Sequence, residues 1–568
     1  MENSSPPRRH RLVWLALATV GTLLVLPTTR YLLKTQMQME ALTYSTATNL
    51  PAERAAAARM PDDYPVQLAL AAEYPSAVAE APPADPGAPA KARNHRVGAL
   101  AQRFPDNPSV YANFLRFMTQ GEVRVSRNDD GSVPVPPVGV TVVPTAPESL
   151  EMFDAAAQKG MELDPDNAYF PMMRAIVLFN THHDSEALDA LKAASRCAHW
   201  TEYYQDESEG LNRLRSAAYG EQGALQHLNT AANLLFPQYA SLRAVARLAA
   251  HLAGDAERDG NTDEGIAIRH ALMRCGALMR SQGTSYITSL VGISIVNIGA
   301  ANPYGILNHD SLPAGQVAEA EAAKLREKRR ELYYSYLESI RQPQEAAWAK
   351  TEIAAADQAR TVGSEAMHYS VFDGRKLYQL GISWLVNNAL LSGALILLLL
   401  GAAAQLASHV RPRKAVLVWR LVFALLVVGG IGLWQWQATR VGMKPYIEMQ
   451  NMFSNLQSSG NDFDDSANAA AVERLATGLG LLVPTLLVGL IAALSLFQRV
   501  PLSTGLGRGL RGVAVPVAAV LFLVYGVSLL PTAQVESTVN TEMARVTHDE
   551  PHYLAELSGK TWPGDPQP

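Results

Sequence analysis

The distribution of apolar residues is the feature that most constrains how this chain can fold. Four long apolar stretches occupy residues 380–408, 415–438, 475–497 and 513–531, whereas residues 34–379 contain no apolar run long enough to cross a bilayer. A membrane-spanning helix needs about 20 mainly apolar residues. The pattern therefore predicts one large domain on a single side of a membrane, followed by a block of four spanning helices.

The N-terminus predicts a further membrane-spanning segment. Three arginines among the first eleven residues precede an apolar run, so we interpret residues 1–10 as a cytoplasmic tail and residues 11–33 as an anchor. A cleaved signal peptide would carry small residues after the apolar core, but Thr28, Thr29 and Arg30 stand there. An uncleaved anchor is therefore favoured, and a cleaved signal with a poor site is the alternative.

The charges between the apolar stretches predict the orientation. The connections 409–414 and 498–512 carry arginine or lysine and no acidic residue, whereas residues 439–474 and the tail 532–568 are rich in Asp and Glu. Basic loops stay in the cytoplasm. We therefore expect five transmembrane helices in the plasma (inner) membrane of a bacterial envelope, with the N-terminus inside and both residues 34–379 and the C-terminus outside.

A recurring Pro-Asp turn organises the large domain. It occurs at residues 61–63, 105–107 and 163–167, each time just before an apolar helical run. Proline ends the preceding helix because it lacks an N–H, and Asp or Asn can cap the next helix. The recurrence predicts an all-α domain built from helix-turn-helix units.

The best-formed unit lies near residues 151–196. Small residues Ala175 and Ala187 lie in two helical halves that are separated by the turn at residues 182–184. This arrangement resembles the tetratricopeptide repeat, although the usual aromatic and glycine positions are not kept and the Pro-Asp turns are 44 and then 60 residues apart. The resemblance implies stacked helical hairpins whose concave surface binds other proteins.

Two inserts interrupt these units. Residues 81–89 form a proline-rich segment that we expect to be a surface loop. Residues 122–125 and 133–135 alternate like strands around the turn residues 128–131, which predicts a small β-hairpin. The hairpin is either a finger that docks a partner or an ordinary surface loop.

Helical patterns continue through the rest of the domain. Breaks fall at Gly220, Pro237, Gly260 and Gly283. The apolar run 287–298 is too short to cross a membrane, so we expect the most buried helix there.

A charged helix is expected next, at residues 314–341. It carries Tyr333, Tyr334 and Tyr336, which form either a contact surface or core packing. A further helix is expected to begin at Pro343.

Candidate chemical sites are few. His182, His183 and Asp184 are expected to form a turn rather than a metal site, because adjacent histidines point apart. Cys197 and Cys275 are either bridged or two separate buried thiols. No phosphate-binding loop, serine elbow or zinc helix occurs in the sequence. We assign no catalytic, cofactor-binding or metal residues and expect no cofactor.

These observations favour a membrane-anchored scaffold or adaptor that is not an enzyme. The expected partners are envelope or membrane proteins and the lipid bilayer, and a net charge of -5 gives no reason to expect nucleic acid. The alternative is a non-catalytic subunit of an export or permease complex driven by a separate ATPase. Proton coupling is disfavoured because the spans carry no charged residue in their interiors. A third candidate is an extracytoplasmic hydrolase.

Reporter fusions test the orientation. A reporter that is active only outside the cytoplasm is expected to be active when fused after Gly460 and inactive when fused after Thr504, because basic connections remain inside. Activity at Thr504 would contradict the predicted topology.

Overall fold

The computed structural model describes residues 46–72, 88–125, 127–128, 131–132, 145–220, 236–300, 319–371, 374–409 and 483–564, together with single residues between 224 and 234. The chain divides into two compact units. The hairpin unit comprises residues 46–220, 227–370 and 542–568, and the apolar unit comprises residues 1–45, 221–226 and 371–541.

The hairpin unit is helical. Its first eight helices are α1 (Thr46–Ala57), α2 (Tyr64–Ala72), α3 (Ala88–Ala99), α4 (Pro108–Met118), α5 (Pro147–Leu163), α6 (Tyr169–Asn180), α7 (Asp184–Ser195) and α8 (Gln205–Tyr219). They are followed by α9 (Gln238–Arg258), α10 (Thr262–Gln282), α11 (Tyr286–Gly299), α12 (Glu319–Ser339) and α13 (Pro343–Met367). The described residues contain no strand, so the expected all-α class is confirmed for them.

All three Pro-Asp turns end in a side chain that caps the next helix. The Asp63 carboxylate accepts from the Val66 N–H at 3.3 Å. The Asn107 amide oxygen accepts from the Ser109 N–H at 3.0 Å, and that of Asn167 from the Tyr169 N–H at 3.0 Å. Each cap satisfies an N–H that has no partner within its helix. The turns therefore begin α2, α4 and α6 as the sequence predicts.

The third turn differs from the others because the Asn167 side chain is fully buried. Its amide group donates to the Thr201 carbonyl at 2.9 Å and accepts from the Thr201 N–H at 3.0 Å. The backbone also pairs, since the Ala168 N–H donates to the His199 carbonyl at 2.8 Å. This turn thus joins α5 and α6 to the segment that leads into α8.

The core lies between α6, α7, α9 and α10. Ala175 and Ala187 are both fully buried in it, in α6 and α7 respectively. The two helices pack as an antiparallel hairpin, and α7 packs in turn on α10. The expected helix-turn-helix is therefore present. The chain then departs from simple stacking, because α8 returns to pack on α1 and α2.

Helix α11 crosses α10 at close range. A Cβ at Gly276 would lie 2.7 Å from the Gly292 carbonyl oxygen, so only glycine permits this approach. The expected buried helix at residues 287–298 is present as α11, with its apolar side chains turned toward α9, α10 and α13.

Three buried ion pairs connect helices of the hairpin unit. Arg116 pairs with Glu207, Arg269 with Glu257 at 2.7 Å, and Arg280 with Glu352 at 3.0 Å. Loss of one partner would leave a buried charge uncompensated, which costs several kcal/mol, on the order of 3 or more.

Two expectations for the inserts need correction. The residues Val123–Arg124–Val125 are not a strand, and the second expected strand lies outside the described residues. The turn itself is present, since the Asn128 N–H donates to the Ser132 carbonyl at 2.8 Å. In the proline-rich segment, Ala88 and Pro89 are not loop but the first turn of α3, a position where proline is tolerated.

The expectations for α12 and α13 are met where the structure describes them. Tyr333 and Tyr336 are buried and Tyr334 is partly buried. The three tyrosines therefore contribute mainly to core packing and not to an exposed contact surface. Pro343 occupies the first turn of α13.

The described part of the apolar unit contains α14 (Gly374–His409), α15 (Val483–Phe497) and most of α16 (Leu502–Leu557). Leucines and alanines of the three helices form a shared apolar core. In another contact between α14 and α16, Asn387 is fully buried, and its side chain donates to the Thr532 hydroxyl at 3.0 Å and accepts from the Ser528 hydroxyl at 2.5 Å.

One helix among the described residues, Thr504–Leu557, is long and apolar enough to cross a membrane, with a mean hydropathy of 2.5 in its most apolar part. The apolar helices Ala389–Gln405 and Val483–Phe497 are shorter. The expected spans at residues 11–33 and 415–438 lie outside the described residues. Residues 502–512, expected as a loop, are instead the first turns of α16.

Substitution of the capping asparagines tests the role of the third turn. We expect Asn167→Ala to lower the free energy of unfolding by about 3 kcal/mol, because it removes several hydrogen bonds of a fully buried side chain and leaves the partly buried N–H and C=O of Thr201 without it. The matched variant Asn107→Ala removes one cap and should cost about 1 kcal/mol. Denaturant unfolding of the detergent-solubilised chain measures both, and equal losses would contradict this assignment.

Candidate functional site

The residues singled out in the sequence do not assemble into a chemical site. His182 lies in the expected turn, with a positive φ of 61°, and His183 Nδ1 lies 2.8 Å from the Thr181 hydroxyl. Asp184 forms an ion pair with Arg127 at 2.5 Å. No group of metal-ligating side chains occurs among the described residues.

The two cysteines are separate thiols buried in the core of the hairpin unit. Cys197 Sγ lies 3.5 Å from the Ala193 carbonyl oxygen, and Cys275 Sγ lies 3.8 Å from that of Leu191. Burial raises the pKa of Cys197 to about 11 and raises the pKa of Cys275 as well. Both are therefore in the unreactive thiol form near neutral pH.

A cleft of about 370 Å³ opens where the end of α7 meets the start of α10 and the start of α13. We call it the junction cleft. Its lining combines cationic, anionic and neutral polar side chains: Lys192, Ser195, Arg196, Asp263, Ile266, Ala267, His270, Gln342 and Glu345. The cleft arises because these three helix ends converge on one surface of the hairpin unit.

His270 is held in the junction cleft by two neighbouring side chains. Its Nδ1 lies 3.0 Å from both carboxylate oxygens of Glu345, and its ring stacks on Trp348 with 4.1 Å between the ring centroids. The carboxylate fixes the orientation of the imidazole, and the ring keeps 42% of its side-chain surface exposed. Such a group can donate or accept a hydrogen bond toward a ligand.

The other lining groups divide by charge. Lys192 is held by Glu264 at 2.6 Å, and Arg196 is exposed beside it. Asp263 is exposed on the facing helix, so the cleft presents both signs of charge. The Ser195 hydroxyl donates to the Lys192 carbonyl at 2.8 Å. A polypeptide with polar side chains of both charges suits this lining better than a uniformly charged ligand.

A second site is already filled by the chain itself. Residues 542–564, which we call the C-terminal strap, belong to the hairpin unit although residues 371–541 separate them from the rest of that unit. The Trp562 indole is 3% exposed and donates to the Arg280 carbonyl at 3.0 Å. Its ring meets that of Tyr286 edge to face. Lys560 pairs with Glu365 on α13.

The strap also contacts the first turn of α11. The Glu550 carboxylate accepts from the Tyr286 N–H at 2.8 Å, and the Glu550 N–H donates to the Thr284 carbonyl at 3.0 Å. The Ser285 side chain caps the Thr288 N–H at 3.1 Å. Two orphan N–H groups of α11 are therefore satisfied, one of them by the strap.

Burial shifts the protonation of two carboxyls near this turn. It raises the pKa of Glu550 to about 7, against the lowering effect of the Tyr286 hydrogen bond. It also raises the pKa of Glu202 to about 7, although Tyr239, Thr288 and Trp200 all donate to that carboxylate. Burial therefore disfavours the charged form of both carboxyls.

Sequence reasoning missed the strap, which it treated as part of an acidic tail. The local signal was present: Asp549 leaves the helical conformation, and its carboxylate accepts from the His552 N–H at 3.2 Å. Pro551 follows in the first turn of the short terminal helix. As in the three Pro-Asp turns, a side-chain oxygen accepts a hydrogen bond from an N–H at the start of the helix that follows.

Comparison with known proteins gives no relationship: no family model matches the chain, and neither curated proteins nor solved structures give a significant match.

Removal of the strap anchor should release the C-terminus. We expect Trp562→Ala to destabilise the docked strap by about 3 kcal/mol, because a large buried ring is lost. Lys560→Ala, which removes an exposed ion pair from the same segment, should cost less than about 1 kcal/mol. Limited proteolysis of the C-terminus reports release, and equal protection in both variants would contradict the anchoring role.

Proposed function

We propose that this protein is a membrane-anchored scaffold or adaptor whose extracytoplasmic helical domain binds segments of other envelope proteins. The observation that carries the proposal is the junction cleft, which presents hydrogen-bonding groups of both charges where three helices converge. Its lining is suited to recognising a polypeptide.

The strap supports this proposal, because the hairpin unit holds a peptide segment from a distant part of the chain. It does so with a buried aromatic anchor, backbone hydrogen bonds and an exposed ion pair at the edge. Peptide-binding surfaces of other proteins use the same combination of an apolar anchor and a polar rim.

The exposed side chains of the apolar unit support anchoring in a bilayer. Leu486, Leu490 and Leu494 lie one helical turn apart on α15 with about half or more of their surface exposed. Leu523 and Leu530 on α16 are 64% and 67% exposed. Large aliphatic side chains in such a band are unfavourable in water and favourable against lipid acyl chains.

The packing of the strap bears on topology. Residues 542–564 follow the apolar part of α16 and pack against α10, α11 and α13. Segments that pack together share a compartment, which supports a topology with the C-terminus and the hairpin unit on one side of the membrane. This agrees with the proposed five-span arrangement, in which both are outside and the N-terminus is cytoplasmic.

A permease subunit is the second candidate. It is favoured by the polar contacts that the buried Asn387 of α14 makes with Ser528 and Thr532 of α16. Polar groups at such places mark transport paths in some membrane proteins, and they also hold helices together. In this candidate the energy comes from a separate ATPase.

Site-specific photocrosslinking in cells distinguishes the candidates. A photoreactive residue at Arg196 or Asp263, both in the junction cleft, is expected to crosslink an envelope protein. The matched control is Glu151, which is exposed on α5 and does not line the cleft. Charge reversal by Arg196→Glu should weaken the crosslink at Asp263 by about tenfold or less, because rim charges contribute modestly.

If a probe at Glu151 gives the same crosslinks as probes at Arg196 and Asp263, the junction cleft is not a specific binding site. If an ATPase copurifies in stoichiometric amount with the detergent-solubilised chain, the permease-subunit function is favoured over the scaffold function.

A further inference from the structure

The first turns of α16 carry a cationic face. Thr504, Arg508 and Arg511 are four and then three positions apart, a spacing that places side chains next to one another on a helix. Thr504 and Arg508 are exposed, and Arg511 is partly exposed. We call these three residues the arginine face.

Neither arginine forms an ion pair within the described part of the chain. The Arg508 guanidinium has no hydrogen-bond partner there either, and Arg511 donates through Nε to the Gly507 carbonyl of its own helix at 2.8 Å. In the sequence, no acidic residue occurs between Glu473 and Glu536. Both guanidinium groups can therefore bind an anion from outside the chain.

The packing of α15 leaves the arginine face uncovered. Two glycines of α16 let α15 approach closely. A Cβ at Gly509 would lie 2.5 Å from the Ile491 side chain, and a Cβ at Gly505 would collide with the Ser495 side chain. Helix α15 therefore occupies the glycine side of α16 and leaves Arg508 exposed.

An exposed apolar strip continues from the arginine face along α16. Leu523 and Leu530 are 64% and 67% exposed, and the helical repeat of about 3.6 residues places them on the same side as Arg508. Leu530 lies roughly 33 Å from Arg508 along the helix axis, close to the thickness of about 30 Å of a bilayer's hydrocarbon core. When Leu530 lies at one edge of that core, Arg508 therefore lies among the headgroups of the opposite leaflet.

The chemistry of the arginine face matches a phospholipid headgroup. A guanidinium can donate two parallel hydrogen bonds to the oxygens of one phosphate, and the Thr504 hydroxyl is a further donor. A zwitterionic headgroup also carries a cation, which the two arginines repel. An anionic headgroup without a cation is attracted by both, so the arginine face favours lipids with net negative charge.

We propose that the arginine face binds the headgroup of an anionic phospholipid, whose acyl chains lie along the exposed apolar strip of α16. This site rests on the bilayer anchoring proposed for the apolar unit and adds a lipid of defined charge to it. A membrane lipid is favoured over a soluble phosphate, because the apolar strip continues from the arginine face and only a lipid covers both.

Native mass spectrometry of the full chain in detergent tests the site. With equal amounts of phosphatidylglycerol and phosphatidylethanolamine added, we expect the wild-type chain to retain more phosphatidylglycerol. Arg508→Gln should lower this preference by about fivefold, because one basic residue near a membrane surface contributes that much attraction to anionic lipid. Arg508→Lys keeps the charge and should retain most of the preference.

Arg499→Gln is the matched control. Arg499 is exposed in the connection between α15 and α16 and lies outside the arginine face. Its replacement removes the same charge from the same connection and should leave most of the preference in place. Equal losses in Arg499→Gln and Arg508→Gln would indicate a general attraction between opposite charges and overturn the site.

A photoreactive residue at Gly512 identifies what covers the arginine face. Gly512 lies one turn from Arg508, and a Cβ there would have no atom within 4 Å, so a larger side chain fits without disturbing the described packing. In vesicles that contain phosphatidylglycerol we expect a phospholipid crosslink that weakens in Arg508→Gln. A crosslink to a protein in cells, in place of lipid, assigns the face to a protein partner and overturns the proposal.

Vesicle flotation separates the lipid site from the anchoring on which it rests. If the chain floats with vesicles of neither lipid, the bilayer anchoring is wrong and the site is overturned with it. Insertion into both vesicles with no lipid preference overturns the lipid site alone. Release of bound phosphatidylglycerol by an equal concentration of inorganic phosphate also overturns it, because the acyl chains would then contribute nothing to binding.

Discussion

The buried side-chain amide of Asn167 is the interaction on which the arrangement of the hairpin unit depends. It caps α6 through the Tyr169 N–H and pairs with both backbone groups of Thr201. A buried amide is stable only when its donors and acceptor have hydrogen-bond partners. The segment after α7 must therefore lie where Thr201 can pair with Asn167. That position directs α8 back toward α1 and α2 instead of onward along a regular stack.

The helices that follow rely on close backbone contact and buried charge. Gly276 and Gly292 let α10 and α11 touch, and the pair Arg280 with Glu352 fixes α13 against them. Buried ion pairs give little net stability but are costly to break, so they favour one packing over others. The carbonyl of Arg280 in turn receives the Trp562 indole, which connects this packing to the C-terminal strap.

Local features of the fold were predictable because they depend on residues close together in the chain. The Pro-Asp turns, the α6 and α7 hairpin and the buried α11 follow from capping and from apolar periodicity. The expected strand at Val123–Arg124–Val125 is absent, because an alternating pattern alone does not make a strand. The start of helix α3 was not predicted, because the proline in its first turn was interpreted as part of a proline-rich loop. The junction cleft was not predictable, since α7, α10 and α13 meet only in the folded chain.

The sequence by itself determined the helical class, the positions of several helices and the separation of a polar domain from an apolar block, since capping and hydropathy act over a few residues. Only the tertiary structure decided that α8 returns to the first helices and that the strap occupies the N-terminus of α11. The Glu550 carboxyl and the Tyr286 N–H are 264 residues apart in sequence. No local pattern encodes such a pair, because its free energy comes from burial and hydrogen bonding that exist only after the chain has folded.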